Sequence, residues 1–344
     1  MMLPKLRVGV VGLGYWGPNL VRNFHDLPDV EVAWICDFRE DRLAHLGRRY
    51  PAVRRTTEFG DLLSDDKLDA IAIATPVGTH YPLATAAIRS GKHVLVEKPL
   101  AASSAEGSAL VALAEAQGLT LMPGHTFLYS PPVNLIRDLI GSGVLGDLYF
   151  ISMSRVNLGL HQPDVSVVWD LAPHDFSILR YWLGETPTRV SAMSRCCIIP
   201  GMPDVAFINL EFPSSTIAHV ELSWLAPSKL RRTTIVGTEK MVVYDDTSTE
   251  PVRVFDSGVE LPDPESFGEY KLSYRTGDVV SRHLPPAEPL HLELEDFCSA
   301  IRYGTEPRSS AEIGLEVIRM IEAVDDALVE SGSRIEAVGD PQPA

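Results

Sequence analysis

Two short stretches of the sequence end in side chains that can move protons and stabilise charge. The apolar run of VLVEKPLA finishes in Glu97 and Lys98, followed by a proline. The stretch WDLAPHD places Asp170 and His174 on one face if a helix begins near Asp170, with its proline in the first turn. An imidazole can accept a hydroxyl proton, and an ammonium can stabilise the alkoxide that results. Together these residues predict acid–base chemistry, provided that the fold brings them together.

Each of these side chains also has a purely structural interpretation. Glu97 and Lys98 could form a surface ion pair at a strand end. Asp170 is of a type that caps helices well, and His174 could be a helix residue satisfied by packing and one hydrogen bond. The elements around the two stretches therefore decide between chemistry and structure.

Four apolar, β-branched runs in the first part of the chain read as buried strands separated by helical patterns. They are LRVGVV (6–11), EVAWIC (31–36), LDAIAIAT (68–75) and KHVLVE (92–97). Strands that are apolar on both faces and alternate with helices predict a parallel, doubly wound sheet. We expect residues 1–123 to form a Rossmann-like α/β domain.

The loop GLGYWG lies directly between the first strand and a helical pattern. In that position Gly12 allows the tight turn, Gly14 lets the backbone approach a pyrophosphate, and Gly17 allows close packing of helix on strand. The free N–H groups and positive dipole of the following helix favour phosphate binding. The loop, including Tyr15 and Trp16, is therefore predicted to bind a dinucleotide.

Asp37 follows the second strand, where a carboxylate can hydrogen-bond the adenosine ribose of NAD. The same charge repels the 2′-phosphate of NADP, so the sequence favours NAD over NADP. Arg39 and Arg42 follow closely and could offset this repulsion, although both could equally lie on a solvated helix face.

Ligands of a doubly wound sheet bind at the carboxyl ends of its strands. The third apolar run is followed there by Thr75, Pro76 and His80, which are predicted to line the cofactor or to form a loop and helix start. The fourth run delivers Glu97 and Lys98 to the same crevice. This position favours a chemical role for the lysine over a surface ion pair.

The composition excludes several classes of partner. The chain of 344 residues is longer than one core usually serves, and its 46 acidic against 30 basic residues give a formal charge of -16. That charge repels a phosphate backbone and an anionic membrane, so neither nucleic acid nor membrane is expected as a partner. With no leader pattern or spanning segment, we expect a cytoplasmic location. Neither the four cysteines nor the ten histidines show metal-ligand spacing.

The stretches GLGYWG, ATPVGTHYPLATAAIRSGKHVLVEKPLA and WDLAPHDFSIL resemble the Gfo/Idh/MocA family of NAD(P)-dependent oxidoreductases. The variants YWGPNLVRNF, GHTFLYSP, SRVNLG and WDLAPHD are most similar to the branch that acts at C3 of sugars. This branch includes UDP-N-acetylglucosaminuronate 3-dehydrogenases and sugar 3-ketoreductases. The resemblance extends over essentially the whole chain.

The resemblance implies a Rossmann domain followed, in residues 124–344, by an α+β domain on an open, mostly antiparallel sheet. Substrate would lie between that sheet and the nicotinamide, and an exposed sheet face would support a homodimer or homotetramer. The sequence agrees, because strand candidates with few helices between them fill residues 148–245. Residues 291–303 and 310–330 read as closing helices.

Matching to the family pattern places His174 across the nicotinamide from Lys98, with Asp170 one turn earlier, and these three are the expected catalytic residues. The expected cofactor-binding residues are Gly12, Gly14, Tyr15, Trp16, Gly17, Asp37, Thr75, Pro76, His80, Glu97, Lys98 and His125. The expected substrate-binding residues are Lys98, Arg155, Asn157, Asp170 and His174. Arg155 could clamp a carboxylate or phosphate of the substrate or be an ordinary sheet-surface arginine, and His125 could instead pack between the domains. The basic cluster SKLRR is interpreted as a solvated surface.

Three functions fit these observations. The first is an NAD-dependent dehydrogenase that oxidises a ring hydroxyl, at C3, of a sugar nucleotide or other glycosyl substrate in aminosugar or natural-product biosynthesis. The second is an NADPH-dependent 3-ketoreductase of a dTDP-linked deoxysugar. The third is a noncatalytic NAD-binding sensor or assembly subunit, which would have no need of a proton-transfer pair.

Overall fold

The computed structural model describes residues 4–159, 161, 165–260 and 273–330. Two sheets organise these residues, and each is covered by helices. The C-terminal tail after residue 330, which the predicted second domain includes, lies outside the described residues.

The first sheet is parallel and has the strand order of a Rossmann fold, β3-β2-β1-β4-β5-β6. Its strands are β1 (Leu6–Val11), β2 (Val30–Cys36), β3 (Arg54–Thr56), β4 (Ala70–Ile73), β5 (His93–Glu97) and β6 (Leu121–Gly124). Its helices are α1 (Gly17–Asp26), α2 (Glu40–Arg49), α3 (Phe59–Leu63), α4 (His80–Arg89) and α5 (Ser104–Gln117). The central strands are buried on both faces, which is why their sequences are continuously apolar.

The second sheet has the order β14-β13-β12-β11-β7-β10-β9-β8. Its strands are β7 (Leu148–Leu158), β8 (Arg189–Arg195), β9 (Val205–Glu211), β10 (Ile217–Ser223), β11 (Leu225–Gly237), β12 (Met241–Asp245), β13 (Val252–Glu260) and β14 (Ser273–Ser281). Neighbouring strands are antiparallel except β10 and β7, which are parallel. The predicted open, mostly antiparallel sheet is confirmed.

Four further helices connect the two sheets: α6 (Pro131–Gly141), α7 (Val167–Leu183), α8 (Pro289–Tyr303) and α9 (Ala311–Glu330). Helix α9 packs against β6 and α5 of the first sheet and against α7 and β8 of the second. The Trp169 indole also donates to Asp325 Oδ2 at 2.7 Å, which ties α7 to α9. The C-terminal helices thus fix how α7 approaches the first sheet.

Helix α7 begins earlier than the sequence predicts. Ser166 is its N-cap and accepts a hydrogen bond from the backbone N–H of Trp169 at 3.4 Å, so Asp170 is not the cap. Pro173 consequently lies in the second turn rather than the first. Its missing N–H leaves the carbonyl of Trp169 without the usual helical partner.

The predicted boundary at residues 123 and 124 falls within β6, whose Gly124 still pairs with Glu97 of β5. The domain limits remain a prediction, because helices from the second part pack on the first sheet. Within the described residues, no helix is long and apolar enough to span a bilayer.

Candidate active site

Of the three motif glycines in the loop between β1 and α1, only Gly14 leaves space for a ligand, as the motif predicts. Gly12 has φ +88°, and a Cβ there would come within 2.6 Å of the Ala74 carbonyl oxygen. A Cβ on Gly17 would clash with the Gly12 carbonyl. A Cβ on Gly14, in contrast, would meet its first neighbour, Arg42, only at 3.9 Å. The loop therefore fits a dinucleotide pyrophosphate at Gly14, beside the N-terminus of α1.

A cavity of about 910 Å³ runs from this loop along the carboxyl ends of the first sheet to helix α7. Nine of the twelve predicted cofactor residues line it: Gly12, Gly14, Tyr15, Trp16, Asp37, Thr75, Pro76, Glu97 and Lys98. Gly17, His80 and His125 do not line it. Phe38 and Trp169 also line the cavity and were missed, although the position of Phe38 next to Asp37 is a signal that could have found it.

Asp37 lines this cavity near the glycine loop and is held there by several hydrogen bonds. Its Oδ2 accepts from the Leu13 backbone N–H at 2.6 Å, and its Oδ1 accepts from the Arg39 backbone N–H at 2.9 Å. The Arg42 guanidinium also donates to Oδ2 at 3.2 Å. Arg39 instead directs its guanidinium to Asp41. Of the two arginines considered in the sequence, only Arg42 therefore faces Asp37.

His80 does not line the cavity, and its predicted cofactor role stays a prediction. The residue is 1% exposed, and its Nδ1 and Nε2 each lie 2.8 Å from a carbonyl oxygen, of Pro99 and Thr75 respectively. Burial lowers the pKa of this imidazole. The ring instead ties together the segments that follow β4 and β5.

Lys98 is joined directly to helix α7. Its Nζ donates to the Asp170 carbonyl oxygen at 2.7 Å and to Asp170 Oδ1 at 3.0 Å. The Trp224 indole donates to the other carboxylate oxygen, Oδ2, at 3.2 Å. The side chains of Lys98 and Asp170 are 14% and 25% exposed, so this ion pair lies at the cavity wall with limited access to water. An ammonium held in this way is placed to stabilise negative charge on a ligand oxygen.

His174 lies one turn after Asp170 on α7, and its Nδ1 is buried without a hydrogen-bond partner in the described residues. The ring packs edge-on against Phe127 with centroids 5.0 Å apart. Burial lowers the pKa of His174 well below its ordinary value, and the positive charges of Lys98 and Arg155 lower it further. The imidazole is therefore neutral near pH 7, which is the form that can accept a proton.

The sequence suggested that Arg155 could clamp a substrate anion. In the structure its guanidinium fork is occupied by Asp175. Its Nε and one terminal nitrogen donate to the two carboxylate oxygens of Asp175 at 2.7 and 2.9 Å. Both residues are almost fully buried, and the guanidinium carbon lies 4.6 Å above the Phe127 ring. Asn157 lies on the same face of β7 two residues later and is half-buried. Arg155 thus anchors α7 to the sheet directly after His174.

Two contributions to this site were missed in the sequence. Arg231, interpreted as part of a solvated cluster, pairs with Asp246 at 3.1 Å and lies 5.4 Å over the Phe127 ring. Phe127 therefore contacts two guanidinium groups and the His174 ring. No sequence signal identifies such contacts, because they join the short 3-10 helix Thr126–Tyr129 after β6 to strands and a helix far along the chain.

The fold and cavity define an oxidoreductase of the NAD-binding Rossmann type, and the comparisons with known proteins agree. Residues 6–125 match the family model GFO_IDH_MocA, described as an oxidoreductase family with an NAD-binding Rossmann fold. Residues 133–243 match the C-terminal domain of that family. The chain belongs to the Gfo/Idh/MocA family of oxidoreductases, which confirms the predicted family, fold, enzyme class and nicotinamide cofactor.

Three proteins are similar to this chain in sequence or in fold. D-xylose 1-dehydrogenase (NADP(+)) 2 of Haloferax volcanii is 30% identical over 341 residues, covering 95% of this chain and 98% of its own. The structure of GenD2 from gentamicin A biosynthesis in complex with NAD has a TM-score of 0.81 at 23% identity, with 98% of each chain covered. UDP-N-acetylglucosamine 3-dehydrogenase GnnA from Acidithiobacillus ferrooxidans has a TM-score of 0.77 at 22% identity, covering 95% of this chain and 100% of its own.

Proposed function

We propose that the protein is an NAD-dependent dehydrogenase that oxidises the C3 hydroxyl of a sugar nucleotide or other glycosyl substrate, in aminosugar or natural-product biosynthesis. The observation that carries this proposal is the direct contact of Lys98 with Asp170 at the wall of the cofactor cavity, one helical turn before the half-buried, neutral His174. A noncatalytic sensor would need none of these groups.

Each residue of this site has a defined task in the proposed reaction. His174 accepts the hydroxyl proton, and Lys98 stabilises the negative charge that develops on the substrate oxygen. Asp170 holds the Lys98 ammonium through two acceptors and is itself held by Trp224. NAD, which the glycine loop and Asp37 would hold, would supply the hydride acceptor for the carbon that carries this hydroxyl. Because the side chains serve both directions equally, they do not determine which direction is physiological.

Asp37 supports NAD as the preferred cofactor. Its carboxylate is fixed by two backbone N–H groups at the end of the cavity where the adenosine ribose would bind. One observation favours the second candidate, an NADPH-dependent 3-ketoreductase of a dTDP-linked deoxysugar. The Arg42 guanidinium lies 3.2 Å from Asp37 Oδ2 and can reduce the repulsion of a 2′-phosphate.

A substrate panel tests the proposal. The purified protein is incubated with NAD or NADP and with UDP-sugars, dTDP-sugars, free glycosides and free aldoses such as D-xylose, and the reduced cofactor is followed by absorbance. Trapping the product with borodeuteride then identifies the oxidised carbon by mass spectrometry. We expect turnover of a glycosyl substrate with NAD and deuterium at C3. Oxidation of a free aldose at C1 would contradict the assignment and place the chain with its D-xylose 1-dehydrogenase relative.

We also propose a homodimer or homotetramer formed through the outer face of the second sheet. Met193 of β8 and Phe207 of β9 are paired in register there and are 70% and 42% exposed. Phe150 of β7 and Ile217 of β10 are also paired in register and add two further exposed apolar side chains. Such a patch is typical of a subunit interface. Light scattering coupled to size exclusion tests the proposal, and a monomer at micromolar concentration would contradict it.

A further inference from the structure

Two buried side chains close to Glu97 and Lys98 have polar atoms without partners in the described residues. His125 is 1% exposed, and neither of its ring nitrogens makes a hydrogen bond. Glu293 of helix α8 is also 1% exposed, and its Oε1 has no partner. Leaving a buried polar atom unpaired costs about 1–3 kcal/mol, so three such atoms on two residues require an explanation.

The backbone on either side of His125 brings two carboxyl groups to the same place. The preceding residue, Gly124, pairs with Glu97 in the ladder of β5 and β6, and a Cβ on Gly124 would lie 3.1 Å from Glu97 Oε2. The following residue, Thr126, donates its hydroxyl to Glu293 Oε2 at 2.7 Å. The imidazole of His125 therefore belongs to a residue whose two neighbours each contact a carboxyl group.

The protonation states of the three groups are complementary. Burial lowers the pKa of His125 to about 3, so its ring is neutral and has one donor and one acceptor nitrogen. Burial, and then the charge of Glu97, raise the pKa of Glu293 well above its ordinary value, so Glu293 carries a proton. A protonated Glu293 can donate to the acceptor nitrogen of His125, and the donor nitrogen can serve Glu97.

We propose that Glu97, His125 and Glu293 form one hydrogen-bonded cluster, bridged by water where side chains do not touch, that places a single negative charge on Glu97 when oxidised nicotinamide binds. Glu97 is the member of the cluster that lines the cofactor cavity, directly before Lys98. The proposal rests on the proposed use of NAD. It gives this chain a means of distinguishing NAD, whose nicotinamide is positively charged, from NADH, whose nicotinamide is neutral.

The charge on Glu97 is adjustable near neutral pH. Burial raises the pKa of its carboxyl to about 7, an effect that the Lys98 ammonium opposes. The titratable and charged groups around it come from its own strand end, from the end of β6, from α7 and from α8. Lys98 and Glu293 interact with Glu97 itself, whereas Asp170, His174 and His125 interact with Lys98, and Asp296 interacts with Glu293. A cation bound in the cavity favours the ionised form and so lowers the pKa of Glu97.

The affinity for NAD should depend on pH, because the pKa of the Glu97 carboxyl lies near 7. At pH 6.5 the free protein holds Glu97 mostly protonated, because the pKa of its carboxyl is about 7. Binding of oxidised nicotinamide releases that proton, whereas binding of NADH leaves it in place. Below pH 7 the affinity for NAD should therefore rise with pH by up to roughly tenfold per pH unit, and the affinity for NADH should not.

Calorimetric titration with NAD and NADH at pH 6.5, in buffers of different ionisation enthalpy, counts the protons released on binding. We expect about half a proton or more with NAD and almost none with NADH. Glu97→Gln should abolish the release, while Glu293→Gln should preserve it because an uncharged amide replaces an uncharged acid. Glu293→Leu removes the donor to His125 and should change the amount released. The matched control is Glu295→Gln, an exposed residue of α8, which should behave as wild type.

Each result decides the proposal without a sugar substrate. Equal proton release with NAD and NADH, or unchanged release in Glu97→Gln, would overturn the assignment of the charge to Glu97. Unchanged release in Glu293→Leu, with circular dichroism showing a folded protein, would remove Glu293 from the cluster and overturn the proposal as stated. Failure of every sugar in the panel, combined with NAD-specific release, would reject the proposed function and leave this inference standing.

Discussion

A buried aspartate meets an arginine at two places in the molecule, the end of strand β2 and the middle of helix α7. Asp37 accepts from two backbone N–H groups, and its arginine, Arg42, is one-third exposed. Asp175 depends on Arg155, whose guanidinium occupies both of its oxygens, and neither side chain reaches water to any extent. The first carboxylate is held by the backbone and lines the cofactor cavity. The second is held by a side chain from a distant strand and serves the architecture.

The largest effect, on stability, is expected from breaking the buried pair of Asp175 and Arg155. Asp175→Asn removes the charge that neutralises buried Arg155, and the free energy of unfolding should fall by about 3–5 kcal/mol. Urea denaturation measures this loss. The control Arg189→Ala removes an exposed ion pair with Glu211 and should cost less than about 1 kcal/mol. Similar losses for both variants would show that the buried pair does not anchor α7.

A smaller effect is expected at the pair of Asp37 and Arg42, where cofactor choice rather than stability should change. Asp37→Asn keeps the shape of the side chain but removes its charge, so the preference for NAD over NADP should narrow by about tenfold, or 1.4 kcal/mol. Arg42→Ala should widen the preference, because it leaves the charge of Asp37 uncompensated. Titration of both cofactors provides the test. A wild-type preference for NADP would reverse the assignment and make Arg42 a phosphate ligand.

The smallest effect is expected at the hydrogen bond between Trp224 and Asp170, where the second sheet meets helix α7. Trp224→Phe keeps the aromatic ring but removes the hydrogen bond to Asp170 Oδ2, which should cost about 1 kcal/mol and lower kcat several-fold. The affinity for NAD should not change, because Trp224 does not line the cofactor cavity. A parallel loss of NAD affinity would indicate a general distortion of α7 instead.

Most strands of the first sheet could be predicted from the sequence, for a physical reason. Strand β1 has the predicted bounds, and β2, β4 and β5 differ by at most two residues at either end, because parallel strands buried on both faces are continuously apolar. Strands β3, β6, β13 and β14 were missed. The residues of β3 and β14 are mostly exposed and carry no apolar alternation, and β6 is only four residues long and contains a proline and a glycine. The glycine loop and Asp37 act through local backbone geometry, which a short motif encodes.

Side-chain partners across the fold could not be predicted in the same way. Alternation along β7 indicates which face Arg155 occupies, yet nothing in the sequence pairs it with Asp175 of a helix. His80 sits where a cofactor contact is expected, and two carbonyl groups take its nitrogens instead. The start of α7 was placed too late because Ser166, a less conspicuous cap than Asp170, precedes it. Whether Lys98 and His174 act together is likewise a matter of tertiary structure.

The most direct test of the central claim is single-turnover hydride transfer by wild type, Lys98→Met, His174→Ala and the double variant, with a substrate identified by the panel. Formation of NADH is followed by absorbance across pH. Each single change should slow transfer by roughly a hundredfold or more, and the double variant should lose much less than the product of the two effects. Because burial lowers the pKa of His174, wild-type transfer should persist as pH falls through 6.5. Near-wild-type transfer by Lys98→Met, or fully multiplicative losses, would contradict the claim that the two residues form one catalytic unit.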